Sequence, residues 1–409
     1  MRVSASAGRS VAGRPGRDNE DALFEDAEVP LYAVVDGSGG SAAAQHALAA
    51  FEREGVTLAA HAEKVSRTAS SGHRLEVART FETVFNAASD QLYRAWHDAG
   101  GSQLSAAAAA CTVLGDFAYV THVGDARAYL WRDGKLRFLT MDHTLAMHQL
   151  RQGDITREEY AKSPFRKTLT QALGVANHVS PDTAEVRLIP GDRILLCSDG
   201  LHRSVGNRAI KQLLTERDSV EACVNALLAK AIARGKRDDI TAILLEFSLG
   251  GRAIKSERAS TVHLTGDLAE IFLFEDLSDA ERLVIAPYFD HRILKAGEVL
   301  CREGEVGDTF FILTKGRAAV THGETHLTEL GPGSYAGEIA LTRAGPRTAT
   351  ITALAQSEAL ALSRPRFLEL VRRRPDIGAR LVLPLLRNVG ARVVDLRSRF
   401  DRIGALMSG

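Results

Sequence analysis

The spacing of apolar positions changes period along the chain. Short apolar runs at 31–36, 117–123, 126–131, 182–188, 193–197 and 240–247 predict strands. Residues 42–54, 76–99 and 220–234 repeat their apolar positions at three and four among alanine, leucine and charged residues, which predicts helices. Up to Phe247 the chain therefore reads as a mixed fold in which layered sheets are covered by helices. The alanine run Ala106 to Ala110 is too apolar for a flexible linker and is expected as a close-packed core strand or helix edge.

After Phe247 the pattern breaks at Ser248-Leu249-Gly250-Gly251-Arg252 and stays polar to Thr265. This composition places a first domain at 1–248, a linker at 249–266 and a second domain at 267–409. The second part opens with an amphipathic segment, Leu273 to Phe289. Short strands broken by glycine follow at 297–300, 308–314 and 317–321, then the turn Gly331-Pro332-Gly333. Regular short strands and turns predict a small β-barrel or jelly roll. From Phe367 the pattern is helical again. Beyond Pro375, Val382, Leu386, Val389, Val393, Leu396, Phe400 and Ile403 alternate at four and three. That spacing fits a coiled-coil seam joining two copies of the chain, and equally a single amphipathic helix packed on its own barrel; Pro384 and Gly390 weaken the seam.

A length of 409 residues supports two domains, each with its own core. Lysine plus arginine equals aspartate plus glutamate at 51 each, so bulk charge points to neither a nucleic acid nor an anionic membrane as partner. Cys111, Cys197, Cys223 and Cys301 are widely separated and form no paired spacing, so neither a zinc knuckle nor a disulfide framework is indicated. The first residues hold no apolar segment of signal-peptide length, and no apolar run is long enough to span a bilayer. A cytoplasmic protein is the expectation.

Candidate chemistry begins where the strand Leu31 to Val35 ends in Asp36-Gly37-Ser38-Gly39-Gly40. By itself an Asp-Gly after a strand is most often a plain turn. Three more acidic segments change that reading: Asn19-Glu20-Asp21, Ser198-Asp199-Gly200, and Asp238-Asp239 opening the strand at Ile240. Together they describe a carboxylate cage for hard divalent cations, which take oxygen ligands. A second constellation, Gly337-Glu338-Ile339-Ala340-Leu341 leading to Pro346-Arg347-Thr348, combines a glycine, a helix start and an arginine nine residues after the glutamate. It describes an anion pocket, with Glu338 placed to accept from a sugar hydroxyl.

The acidic stations resemble the metal-dependent protein phosphatases, the type 2C serine/threonine family. Asn19-Glu20-Asp21, Asp36-Gly37, Val123-Gly124-Asp125-Ala126-Arg127, Leu139 to His143, Leu169 to Gly174, Ser198-Asp199-Gly200 and Asp238-Asp239-Ile240-Thr241 occur in that family's order across the first domain. The resemblance implies an α+β fold, a layered α-β-β-α sandwich. It also implies two manganese or magnesium ions bridged by Asp36, with Glu20 and the Gly37 carbonyl completing one site and Asp199 and Asp238 the other. A phosphate-holding arginine is implied near the first acidic pair. The family position, three residues before the asparagine, holds Gly16 here, so the flanking Arg17 is favoured, with Arg14 beside it. Ser38 stands where many relatives have histidine or methionine, which leaves leaving-group protonation to water. Asp125 with Asp199 marks a third, weaker metal site, against which stands Arg203, where relatives often have an aspartate.

The second constellation resembles the phosphate-binding cassette of cyclic-nucleotide-binding domains, from about Ile271 to Phe400. The resemblance implies a β-barrel (jelly roll) with flanking helices. It implies Arg347 on the cyclic phosphate, Glu338 on the ribose, backbone donors at Gly337, Ile339 and Ala340, and Thr348 near the base, with cAMP and cGMP both open. The expected function is a serine/threonine phosphatase acting on phosphoproteins, regulated in cis by a cyclic nucleotide. The competing readings are a catalytically weak or inactive phosphatase fold that senses nucleotide for a partner, and an active phosphatase whose second domain only dimerises.

Overall fold

In a computed structural model the described residues are 1–14, 16–26, 31–54, 71–100, 103–235, 238–249, 271–387 and 390. The chain forms two compact units, Met1–Lys255 and Ser256–Gly409.

The strands of the first unit are β1 (Arg2–Val11), β2 (Asp21–Asp26), β3 (Leu31–Ser38), β4 (Ser105–Leu114), β5 (Phe117–Val123), β6 (Arg127–Arg132), β7 (Lys135–Phe138), β8 (Asp182–Arg187), β9 (Arg193–Cys197) and β10 (Ile240–Ser248). Its helices are α1 (residues 42–54), α2 (Ser71–Ala99), α3 (Leu145–Gln152), α4 (Arg157–Lys162), α5 (Asp199–Val205), α6 (Asn207–Glu216) and α7 (Val220–Ala233). Two five-stranded antiparallel sheets form, ordered β2-β3-β4-β5-β8 and β1-β10-β9-β6-β7.

Period-two alternation gives each central strand two buried faces. On β3, Leu31, Ala33 and Val35 pack with Ala47 and Phe51 of α1 and Phe81, Phe85 and Leu92 of α2. Tyr32 and Val34 are buried on its opposite face, toward β9 and β10. The second sheet buries Leu195, Cys197, Ala242 and Leu244 against Leu201 of α5, Leu214 of α6 and Val224 and Leu227 of α7. The layers are thus helix, sheet, sheet, helix. The alanine run lies within strand β4, where small side chains let both faces close.

Local chemistry sets the loops between these layers. Thr144 caps α3, accepting from the Met147 N–H, and Gly153 ends it in the left-handed region. Thr156 and Glu159 form a capping box on α4. Two strands without strong apolar runs, β1 and β2, go beyond the sequence expectation. Their pairing with β10 and β3 orders them, because a neighbouring strand offers hydrogen bonds regardless of side chain.

The second unit contains β11 (Asp290–Leu294), β12 (Val299–Cys301), β13 (Val306–Gly307), β14 (Thr309–Lys315), β15 (Ala318–His322), β16 (Thr325–Leu330), β17 (Tyr335–Ala336), β18 (Gly345–Pro346), β19 (Thr350–Ala353) and β20 (Ser357–Ser363). Two four-stranded antiparallel sheets, β11-β20-β14-β17 and β12-β19-β15-β16, enclose a jelly-roll core that buries Phe310, Ile312, Ile351 and Leu362. The segment expected as one amphipathic run, Leu273 to Phe289, is broken into a 3₁₀ turn at Phe272–Phe274, helix α8 (Asp279–Ile285) and a second 3₁₀ turn at Ala286–Tyr288. Ser278 and Glu281 start a fresh helix with a capping box, and Pro287 lacks the N–H that would continue it.

Helices α9 (Ile339–Thr342), α10 (Arg364–Arg373) and α11 (residues 375–387) complete the unit. Arg380 of α11 pairs with buried Glu281 and ties that helix to α8. The linker at 250–266 lies outside the described residues, as do Val389, Val393, Leu396, Phe400 and Ile403 of the C-terminal seam. Among the described residues no helix is long and apolar enough to cross a membrane.

Candidate functional site

The acidic stations converge through backbone contacts. In the β2–β3 ladder Asp21 stands directly opposite Asp36, and on its other side Asp36 faces Ala107. The Gly37 N–H donates to the Glu20 carbonyl at 3.2 Å, and a Cβ at position 37 would lie 2.4 Å from that oxygen. Only glycine permits this approach. Similarly, a Cβ on Gly200 would stand 1.7 Å from the Asp239 carbonyl, so the Asp199-Gly200 corner seats directly on the Asp238-Asp239 segment. The Asp199 N–H donates to Asp36 Oδ2 at 3.3 Å.

A polar strut fixes the rest. The Asn19 side chain donates to Ser10 Oγ, which bonds Thr241 Oγ1 at 2.6 Å, and the Thr241 N–H donates to Ser198 Oγ. Asp239 accepts from the N–H groups of Gly13 and Glu20, each at 2.7 Å. Its carboxylate therefore positions the backbone that carries Glu20.

Carboxylates this close raise one another's pKa. Asp36 is held well above its usual value by burial and by the charges of Asp21, Asp199 and Asp125. Burial pushes Asp21 up to about 7, against hydrogen bonds from Thr241 and Ser198 and with help from Asp239 and Asp199. Burial and the Asp199 charge push Asp125 up to about 6, with Arg203 opposing. Asp21 Oδ2 is buried with no hydrogen-bond partner. An all-oxygen donor set whose ionised form is disfavoured for want of positive charge fits hard divalent cations.

Of the expected ligands, Asp36, Asp199 and Asp125 share this electrostatic cluster, while the neighbouring backbones bring up Glu20, the Gly37 carbonyl and Asp238. Arg14 and Arg17 are exposed on a turn closed by the Arg17 N–H and the Arg14 carbonyl at 3.3 Å; neither has a carboxylate partner among the described residues. Ser38 is exposed. Sequence reasoning missed Asp21 and Asp239 as participants, although each adjoins a residue it did select. It also missed the bidentate pair of Arg127 with Asp142, 2.7 Å at both contacts, which holds the Asp142 carboxyl below its usual range despite burial. His143 fixes the turn that presents Asp125: its N–H donates to the Gly124 carbonyl at 2.8 Å, and its ring bonds Asp182 at 3.3 Å.

In the second unit Arg347 sits at the end of the two-residue strand β18. Its Nη2 donates to the Thr309 carbonyl at 2.8 Å and its guanidinium lies over the Phe311 ring, 5.4 Å from the centroid. A Cβ on Gly307 or Gly337 would intrude within 2.6 Å of this side chain, so glycines on both sides make room for it. Among the described residues Arg347 has no carboxylate partner. A guanidinium held by a carbonyl and an aromatic face keeps its charge for an external anion. Gly337 is left-handed at φ +81°, Glu338 stands at the N-cap position of α9 without a side-chain capping bond, and the Ala340 N–H donates to the Gly337 carbonyl at 3.0 Å. Ile339 and Thr348 are exposed.

Comparison with known proteins defines the class. The first unit takes the fold of the serine/threonine phosphatase of S. agalactiae, with a TM-score of 0.51 and 26% identity over 60% of this chain and 99% of that one. The Mycobacterium tuberculosis phosphatase PstP/Ppp matches at a TM-score of 0.50 and 26% identity, again over 60% of this chain and 99% of that one. By sequence, 244 residues are 30% identical to the serine/threonine phosphatase stp of Listeria welshimeri serovar 6b, covering 59% of this chain and 95% of the relative. Residues 17–149 match the Protein phosphatase 2C family model, 119–248 the Stage II sporulation protein E model, and 291–374 the Cyclic nucleotide-binding domain model. The chain belongs to the protein phosphatase 2C family of metal-dependent serine/threonine phosphatases, here carrying a cyclic nucleotide-binding domain.

Proposed function

We propose that this chain removes phosphate from phosphoserine and phosphothreonine in cytoplasmic proteins, and that a cyclic nucleotide bound by its second domain sets the rate. The catalytic domain spans 1–248, the nucleotide-binding domain 267–409, and 249–266 link them. Glu20, Asp36, the Gly37 carbonyl, Asp199 and Asp238 would hold two divalent cations, manganese or magnesium. When bound, such cations acidify water and neutralise phosphoryl charge. The chain's own residues do the rest. Arg17, with Arg14 on the same turn, binds the phosphate oxygens. Asp239 and Gly37 orient Glu20 and Asp36 through the backbone contacts described above. Ser38 offers no proton at neutral pH, so the leaving alkoxide takes one from water.

The observation that carries this reading is the convergence of Asp21, Asp36 and Asp125, whose pKa values burial and neighbouring charge raise, with Asp199 among those charges, a cluster that divalent cations relieve. For the second domain it is the Arg347 guanidinium, without a carboxylate partner among the described residues and framed by Gly307 and Gly337. In this reading the cyclic phosphate lies on Arg347 and the ribose on Glu338, with cAMP and cGMP both open. Regulation follows by linkage if nucleotide favours a conformation of different activity, and couplings of this kind amount to about 1–3 kcal/mol.

Phosphopeptide hydrolysis by the full chain, with manganese or with chelator, across a titration of cAMP and of cGMP, tests both halves. Manganese-dependent turnover that changes with nucleotide is expected. Turnover absent under every condition favours the nucleotide-sensing, inactive reading, and turnover indifferent to both nucleotides removes the regulation.

A further inference from the structure

Arg203 lies on α5, one helical turn after Asp199, and its guanidinium reaches two carboxylates at once. Nη1 bonds Asp199 Oδ2 and Nη2 bonds Asp125 Oδ2, while Nη2 also donates to the Arg166 carbonyl at 3.3 Å. The Arg203 and Asp125 side chains retain only 17% and 8% of their exposure, so the contact is largely withdrawn from solvent. Two further contacts hold the arrangement. His202, the preceding residue, bonds the Asp125 carbonyl through Nε2 at 3.0 Å, and the Asp199 N–H is committed to Asp36 Oδ2.

Resting on the two-cation reading above, we propose that Arg203 is a resident cation of the catalytic centre, occupying the position between Asp125 and Asp199 where a further divalent ion would bind. The centre then takes its metal ions on the Asp36 side alone, and Asp125 serves as the counter-ion of Arg203 rather than as a metal ligand.

The physical reason is permanence. A guanidinium does not deprotonate at any relevant pH, and two carboxylates in fork geometry satisfy it. A divalent ion entering between Asp125 and Asp199 must first displace a guanidinium that both carboxylates already hold. An aqueous ion leaves when it is diluted or chelated; Arg203 cannot. One corner of the cage is thereby neutralised before any metal arrives.

The test counts ions. Manganese titrated into the metal-free full chain by calorimetry gives a stoichiometry for the wild type, Arg203→Asp and Asp125→Asn. Arg203→Asp is expected to take up one more manganese ion per chain than the wild type. Asp125→Asn, nearly isosteric and so little threat to folding, is expected to bind the same number as the wild type. Equal stoichiometry in Arg203→Asp and wild type overturns the proposal, as does the loss of one ion in Asp125→Asn. Should Arg203→Asp fail to fold, the Asp125→Asn count alone decides. Failure of the underlying two-cation reading looks different: the wild type itself then binds no manganese.

Discussion

Removing one buried carboxylate should stabilise the metal-free protein, and Asp21→Asn is the sharpest case. Asp21 is 7% exposed, faces Asp36 across the ladder, and leaves Oδ2 without a partner. Its carboxyl is pushed from 3.8 up to about 7, chiefly by burial. Between those values the folded chain holds a proton that the unfolded chain has lost. Stability therefore falls as pH rises through the window and is lowest above about 7, the reverse of a salt-bridged carboxylate. About three pKa units correspond to ~4 kcal/mol. Asp36 shares the same excess charge, so replacing Asp21 alone should recover about 2 to 4 kcal/mol. For a unit of this size that is roughly 5 to 15 °C in Tm. Scanning calorimetry of the wild type and Asp21→Asn, in chelator at pH 8 and pH 4, reads it directly. The variant should melt higher at pH 8, with the gap nearly closed at pH 4, and saturating manganese should shrink the pH 8 gap. A gap of the same size at both pH values would mean a packing effect and refute the electrostatic argument; no gap at pH 8 would refute it too.

Asp36→Asn should abolish manganese-dependent phosphopeptide hydrolysis while far-ultraviolet circular dichroism stays unchanged; near-wild-type turnover would remove Asp36 from the centre. Arg347→Ala should weaken cyclic nucleotide binding by about ten- to 100-fold, the loss of one charge-assisted contact, without changing basal hydrolysis; an unchanged calorimetric Kd would mean that the phosphate lies elsewhere. Gly200→Ala places a Cβ 1.7 Å from the Asp239 carbonyl and must push α5 off that segment. A loss of about 1 to 3 kcal/mol in urea unfolding is expected, and an unmoved midpoint would show that the corner yields freely.

The sequence alone carried the elements whose signal is local. Strand β9 was read at its observed bounds, Arg193–Cys197, because five consecutive apolar or edge positions between turn residues leave little choice. The Asp36-Gly37 and Asp199-Gly200 corners were legible because carboxylate followed by glycine at a strand end is a local pattern. The same holds for the local pattern of Gly337, Glu338 and Arg347 in the second unit. Strands β1 and β2 were not legible, since their order comes from partners far away in the chain. Nor were the electrostatics. That Asp21 faces Asp36 follows from ladder register, that Asp239 holds Glu20 from a contact 219 residues away, and that Arg203 spans Asp125 and Asp199 from the seating of α5 on the sheet. Composition specifies which charges a chain contains. The distances between them, and so their pKa values and their appetite for cations, exist only once the two sheets have packed.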